Sequence, residues 1–347
     1  MFDHKHYVPI LRWKQGEQLA LRELYPTDKS SMTPLIEIPY DYDKTLGETV
    51  AAIAKNWGAS AIFFDVVPLA PRLESLWGKY PVANVFAKAR DAGLRLIPVT
   101  SLGCNPEFLA AVRGATVKDQ PGACVRLFRE DLAKTTLGVE LNSHISLLGL
   151  QPSSVDLLLD LKVYDHADDR YVRFCSSVPN LPAWRTFTIA SGAFRQDLTG
   201  LSVGQHKLHR DDWQSWRNQI TSTLLRQPTY GDYATLHPFL ISDIKGLNPS
   251  ASIRYTCEDY WVVMRGEGLR NKSGTGHAQY PANAKLLTLR SEYCGQHFSF
   301  GDNYIYDISL NKGKTGNPRT WVTAGVNHHL TFAVRQIGSS FKNTEKE

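Results

Sequence analysis

The chain has 347 residues, 42% of them apolar, with 39 Lys and Arg against 34 Asp and Glu and a net charge of +5. That length supports one large domain or two ordinary ones, and the composition excludes a wholly disordered chain. No apolar run reaches the roughly 18 residues of a membrane helix, and five cysteines without a CxxC pair exclude a disulfide framework.

The opening Met1-Phe2-Asp3-His4-Lys5-His6 lacks the basic-then-apolar pattern of a signal peptide. The expected location is therefore cytoplasmic, with reduced thiols and no membrane partner. From Tyr7 onward, β-branched and aromatic runs recur at 7–11, 34–38, 61–66, 95–99, 124–128, 155–160 and 186–190. Their centres are spaced about 30 residues apart, the length of a strand, a helix and two short loops. The runs are continuously apolar, as in strands covered on both faces. Helices are predicted over 47–57, 82–92 and 210–225 from apolar residues at three- and four-residue spacing, and an eighth strand over 229–235. The first strand runs into Arg12-Trp13-Lys14-Gln15-Gly16 with no glycine-rich phosphate loop, which disfavours an open doubly wound sheet.

After residue 240 the rhythm changes. Strands are predicted over 252–256 and 261–265, joined through Glu258-Asp259, then a Gly-, Lys- and Ser-rich loop over 266–276. A helix is predicted over 282–293, a strand-like aromatic stretch over 298–308, a basic turn over 312–318 and a last helix over 321–337. The expected fold is α/β: a (β/α)8 TIM-like barrel over 1–240, a C-terminal α+β extension over 241–337 packed on it, and a polar tail over 338–347.

The opening Tyr7-Val8-Pro9-Ile10-Leu11-Arg12-Trp13-Lys14, with Ala20-Leu21-Arg22-Glu23-Leu24 and Pro34-Leu35-Ile36-Glu37-Ile38-Pro39, resembles the bacterial and phage "beta family protein" group. Ser252-Ile253-Arg254-Tyr255-Thr256, Trp261, Arg265-Gly266 and Asn327-His328-His329 are similar to its C-terminal pattern. The resemblance spans nearly the whole chain. It implies a mobile-element or phage-defence context, and it brings no catalytic residues with it.

Barrel enzymes carry their sites at the C-terminal ends of the strands. That rule selects Glu37, Asp65, Asp160 and Lys162 as catalytic candidates, with Arg12, Lys14, Arg126 and Asp232 as candidate phosphate ligands. Glu37, Asp65 and Asp160 are the candidate ligands of a divalent cation such as Mg2+. Carboxylates holding a metal beside Arg and Lys meeting phosphate oxygens suit phosphodiester or related phosphoryl chemistry. The competing expectation is an ion-pair layer that closes on itself. Adjacent His328 and His329 diverge by about 100° on a helix and do not chelate one metal as an i,i+4 pair does. Cys104 lacks an assigned histidine partner. Arg254 and Arg265 beside Tyr255 and Trp261, followed by Arg270, Lys272, Lys312, Lys314 and Arg319, suit a grip on single-stranded nucleic acid.

Three classes of function follow. One is a barrel enzyme acting on nucleic acid or a phosphorylated ligand. The second is a non-catalytic module that recognises a phage component or a partner protein from a defence operon. The third is a toxin-like effector controlled by a partner.

Overall fold

The computed structural model describes residues 2–66, 70–168, 170–220, 223–239, 248–271 and 275–342. Residues 221–222 of the predicted 210–225 helix, Lys272 of the basic cluster and residues 343–347 of the tail lie outside the described residues.

The strands are β1 Tyr7–Arg12, β2 Leu35–Glu37, β3 Ile62–Asp65, β4 Leu96–Thr100, β5 Ala123–Phe128, β6 Val155–Val163, β7 Thr186–Gly192, β8 Gly204–His209, β9 Thr229–Asp232, β10 Ser250–Thr256 and β11 Tyr260–Gly268. β1 to β7 and β9 close into a barrel, with β9 parallel to both β7 and β1. This is the expected (β/α)8 architecture, and the eighth strand is the predicted one. Helices fall between the strands. Leu46–Asn56 starts on a capping box of Thr45 and Glu48, and Pro106–Asp119 starts on the Asn105 side chain. Leu137–Leu148 stops at Gly149 in the left-handed conformation.

Closure depends on a small residue. Gly231 sits in register with Val8 on one side and Ala190 on the other. A Cβ there would lie 2.8 Å from the Ala190 Cβ and 3.0 Å from the Val8 carbonyl oxygen. At the N-terminal end of the barrel, Arg185 clamps Asp156 through bonds of 2.9 and 2.5 Å, and Thr186 donates to the same carboxylate.

Two compact units emerge: Met1–Trp13 with Met32–Ser191 and Ser215–Asp232, and Lys14–Ser31 with Gly192–Gln214 and Tyr233–Glu347. The second unit thus draws on three stretches of chain, only one of which follows the barrel in sequence. Its three-stranded antiparallel sheet has the order β10-β11-β8. β8 holds His206 and His209. The core of this unit includes Tyr280 stacked on Trp321 at 4.4 Å.

The predicted strand-like stretch over 298–308 is a helix, Phe300–Ser309. Its aromatic content suggested a strand, but Ser299 accepts from the Asp302 backbone N–H as an N-cap. Gly301, Asp302, Ile305 and Ile308 then turn inward at helical spacing. The last helix runs over Pro318–Lys342. No helix among the described residues is long and apolar enough to cross a membrane.

Gly231→Val should lower unfolding free energy by about 1–3 kcal/mol through overpacking. Urea unfolding checks this, and unchanged stability would show that the β7-β9-β1 seam tolerates a side chain.

Candidate functional site

Strand register builds the site. Arg12 lies opposite Glu37, Glu37 opposite Asp65, and Phe128 opposite Asp160. All stand at or near the C-terminal ends of their strands, the end that carries chemistry in this fold. Side chains with period two then send Arg126 up the same face of β5 as Phe128.

The Arg126 guanidinium is the hub. Its Nε donates to Asp160 Oδ2 at 2.9 Å, and its Nη2 donates to the same oxygen at 2.6 Å. Nη1 donates to Asp65 Oδ2 at 2.5 Å, and Nη2 also to Glu37 Oε1 at 2.7 Å. Arg126 is 3% exposed and Asp160 fully buried, so water does not screen these pairs. Lys162 completes the cluster, with Nζ 3.2 Å from Asp160 Oδ2 and 3.5 Å from Glu37 Oε1. The five groups carry three negative and two positive charges, a net of −1.

Lys162 reaches this place through an unusual backbone. Its φ is +58°, the left-handed region, inside β6. Its backbone N–H donates to Asp160 Oδ1 at 2.9 Å, so the carboxylate that binds the ammonium also holds the strained turn. The Lys162 Nζ and the Arg126 Cζ each lie 5.4 Å from the Phe128 ring centroid. Arg129 ties down the end of β6 by donating to the Leu161 and Val163 carbonyls. Burial alone would push the Glu37 carboxyl up. The charges of Arg126 and Lys162 and the Arg126 hydrogen bond outweigh burial and hold it below the usual carboxylate value.

The structure thus brings together Glu37, Asp65, Asp160, Lys162 and Arg126, and places Arg12 in register beside Glu37. It assigns several of them different partners from those expected. Glu37, Asp65 and Asp160 converge on a guanidinium rather than arranging lone pairs around a metal. Among the described residues no group of three or more His, Cys, Asp or Glu is placed to hold a metal ion. The carboxylate geometry does not fit Mg2+, because the charge such an ion would supply comes from Arg126 and Lys162. Arg126 in turn is committed to carboxylates at Nε, Nη1 and Nη2, so it is not presented as a phosphate clamp.

Other candidates have different partners. Asp232 is fully buried and accepts from Tyr7 at 2.5 Å and Tyr230 at 3.0 Å, which places it in a buried tyrosine–carboxylate cluster rather than at an exposed phosphate position. Lys14 belongs to the other compact unit, where it is the N-cap residue of the helix Gln15–Arg22. Arg254 donates to the Thr235 carbonyl and stands 4.7 Å over the Phe194 ring, and Arg265 donates to the Leu201 carbonyl. Both arginines thus tie backbone segments of their own unit. Tyr255 and Trp261 are fully buried, so neither ring is a stacking platform for nucleic acid.

His328 and His329 are also buried. His328 sits 2.8 Å from both Asp302 Oδ2 and the Thr256 carbonyl and stacks on Tyr255 at 3.8 Å, while His329 bonds the Thr256 hydroxyl. Tyr255 and Ser299 donate to the same Asp302 carboxylate. This network fastens the last helix to β10. The Cys104 thiol contacts Ser101, and burial pushes its pKa up, away from the thiolate.

Sequence reasoning missed Phe128 and the two tyrosines on Asp232. The signal for the hub was nonetheless visible: a lone arginine in the otherwise apolar run Ala123–Phe128 demands buried carboxylates.

Arg126→Met should destabilise the protein by about 3–5 kcal/mol, because it strands buried carboxylates. The sign with pH follows from Glu37. Its folded pKa is depressed, so its contribution is complete above the ordinary value of 4.5 and is lost as pH falls through the folded value. The gap between wild type and variant should be widest above that value and narrow toward acid, measured by urea unfolding across pH. A gap independent of pH would contradict the ion-pair account.

No curated protein matches the chain. A family model described as Beta protein matches residues 7–335, nearly the whole length. The chain belongs to the Beta protein family.

Proposed function

We propose that the barrel mouth is a recognition site for a phosphorylated ligand, in a protein that serves mobile-element or phage defence as a binding module. One observation carries the reading: Arg126 is bound to all three carboxylates inside the barrel, while Lys162 and Glu37 remain partly exposed at 25% and 21% of their side chains. The Lys162–Glu37 contact, at 3.5 Å, is the longest in the network and the easiest to open. An incoming phosphate oxygen would take the ammonium from Glu37, with Arg12 beside it on the neighbouring strand. Phe128 offers a partly exposed ring against which the apolar part of such a ligand can lie.

Metal-assisted phosphoryl transfer is the weaker alternative. It requires Asp65 and Asp160 to leave a guanidinium that binds them at 2.5 and 2.6 Å, at the cost of exposing a buried charge. The defence context rests on the family resemblance alone.

The test is a panel of nucleotides, sugar phosphates and inorganic phosphate, screened by thermal shift and titration calorimetry. A ligand that binds wild type should lose about tenfold or more affinity with Lys162→Gln, corresponding to one charge-assisted bond of about 1.5–3 kcal/mol. Binding that is unchanged in Lys162→Gln would overturn the proposal. Hydrolysis of a panel member that requires Mg2+ and disappears in Asp160→Asn would favour the enzymatic reading instead.

A further inference from the structure

The first compact unit carries a cleft of about 530 Å³ away from the strand ends that hold Lys162. It lies where the helices Pro81–Asp91 and Pro106–Asp119 end and where β4 and β5 begin. The buried Phe86, Leu96 and Pro121 give it an apolar lining. Arg90 and Asp119, also in the lining, pair across the two helices: Arg90 Nη2 donates to Asp119 Oδ2 at 2.9 Å, and Nε donates to the other carboxylate oxygen. That pair occupies the one acid among the lining residues. Arg95 and Lys118 line the same cleft and are exposed, and their side chains have no hydrogen-bond or ion-pair partner among the described residues. Three cations against one carboxylate leave the lining with a net charge of +2.

A basic residue in a last helical turn answers the helix dipole, which accounts for Lys118. It does not account for Arg95, which lies on neither helix. Gln120 is the stronger sign. It closes the helix Pro106–Asp119 with a φ of +51°, in the left-handed region. The helices Pro81–Asp91 and Leu137–Leu148 turn on Gly93 and Gly149, at +67° and +69°, and glycine adopts that conformation without steric cost. A glutamine there keeps a strained backbone and adds to the cleft lining an amide without a hydrogen-bond partner among the described residues. An amide offers both a donor and an acceptor.

We propose that this cleft binds a phosphate monoester carrying an apolar ring, of the size of a nucleoside monophosphate. Such a phosphate bears about two negative charges at neutral pH, which matches Arg95 and Lys118 together, whereas a carboxylate matches only one of them. The ring lies against Phe86, Leu96 and Pro121, and the Gln120 amide bonds its polar edge. A volume of about 530 Å³ falls in the range that holds a molecule of this size. The site uses none of the residues of the barrel mouth, so it stands whether or not the mouth binds phosphate.

The test titrates the full chain with adenosine, guanosine, cytidine and uridine monophosphates by calorimetry, in wild type and in Lys162→Gln, so that mouth and cleft are read separately. At least one nucleotide should bind Lys162→Gln. Adding Arg95→Gln and Lys118→Gln, at two exposed positions, should weaken that binding about tenfold or more. Inorganic phosphate, which lacks the ring, should bind more weakly than the nucleotide by at least as much. Gln120→Gly should weaken nucleotide binding roughly threefold, with a thermal unfolding midpoint unchanged or higher, because glycine relieves the left-handed backbone. A purely structural glutamine would not separate affinity from stability in this way. Four results would each overturn the proposal: no nucleotide bound by Lys162→Gln, binding untouched by Arg95→Gln with Lys118→Gln, inorganic phosphate bound as tightly as the nucleotide, or an affinity indifferent to Gln120→Gly.

Discussion

A guanidinium placed among three carboxylates governs the barrel mouth. Arg126 crosses from β5 to carboxylates on β2, β3 and β6. Taking these charges out of water costs several kcal/mol for each ion, and only close, multiply bonded geometry returns it. The bonds of 2.5–2.9 Å meet that condition. Because one side chain reaches three strands, the same guanidinium that pairs with the carboxylates also ties those strands together at their C-terminal ends. Replacing any one member leaves the others buried and unbalanced, so the cluster acts as a unit rather than as separate pairs.

The consequence for function is a division of labour. Arg126, Asp65 and Asp160 are buried and form a rigid floor. Lys162 and Glu37 are partly exposed, Lys162 held by contacts of 3.2 and 3.5 Å and Glu37 also by the 2.7 Å bond from Arg126. Asp160 belongs to both layers, since it binds Arg126, the Lys162 ammonium and the Lys162 backbone N–H. A strained left-handed residue costs about 1–3 kcal/mol, and here the strain is held by the carboxylate that the lysine serves. In the proposed reading, this arrangement presents a single ammonium to an acidic ligand.

Much of this was legible in the sequence. The 30-residue rhythm gave the barrel because a βα unit has a fixed length, and strand ends pointed to Glu37, Asp65, Asp160 and Lys162 because chemistry gathers there. The partner choice was less legible. Whether carboxylates face a metal or an arginine depends on rotamers and on which strands lie opposite, and Arg126 sits two residues below the end of β5. Asp232 followed the strand-end rule yet is buried and hydrogen-bonded by Tyr7 and Tyr230, from β1 and its own strand. In the second unit the aromatic stretch over 298–308 resembled a strand by propensity, while the Ser299 cap and the spacing of Ile305 and Ile308 specified a helix. The basic residues Arg254 and Arg265 looked like a nucleic-acid surface, but backbone carbonyls claim them.

The central claim, that Arg126 takes the place of a metal among these carboxylates, meets its most direct test in a Mn2+ titration of the wild-type protein followed by electron paramagnetic resonance. The account predicts no stoichiometric site at the mouth, and therefore the same titration curve for wild type and Asp160→Asn. One tightly bound Mn2+ per chain that disappears in Asp160→Asn would contradict it.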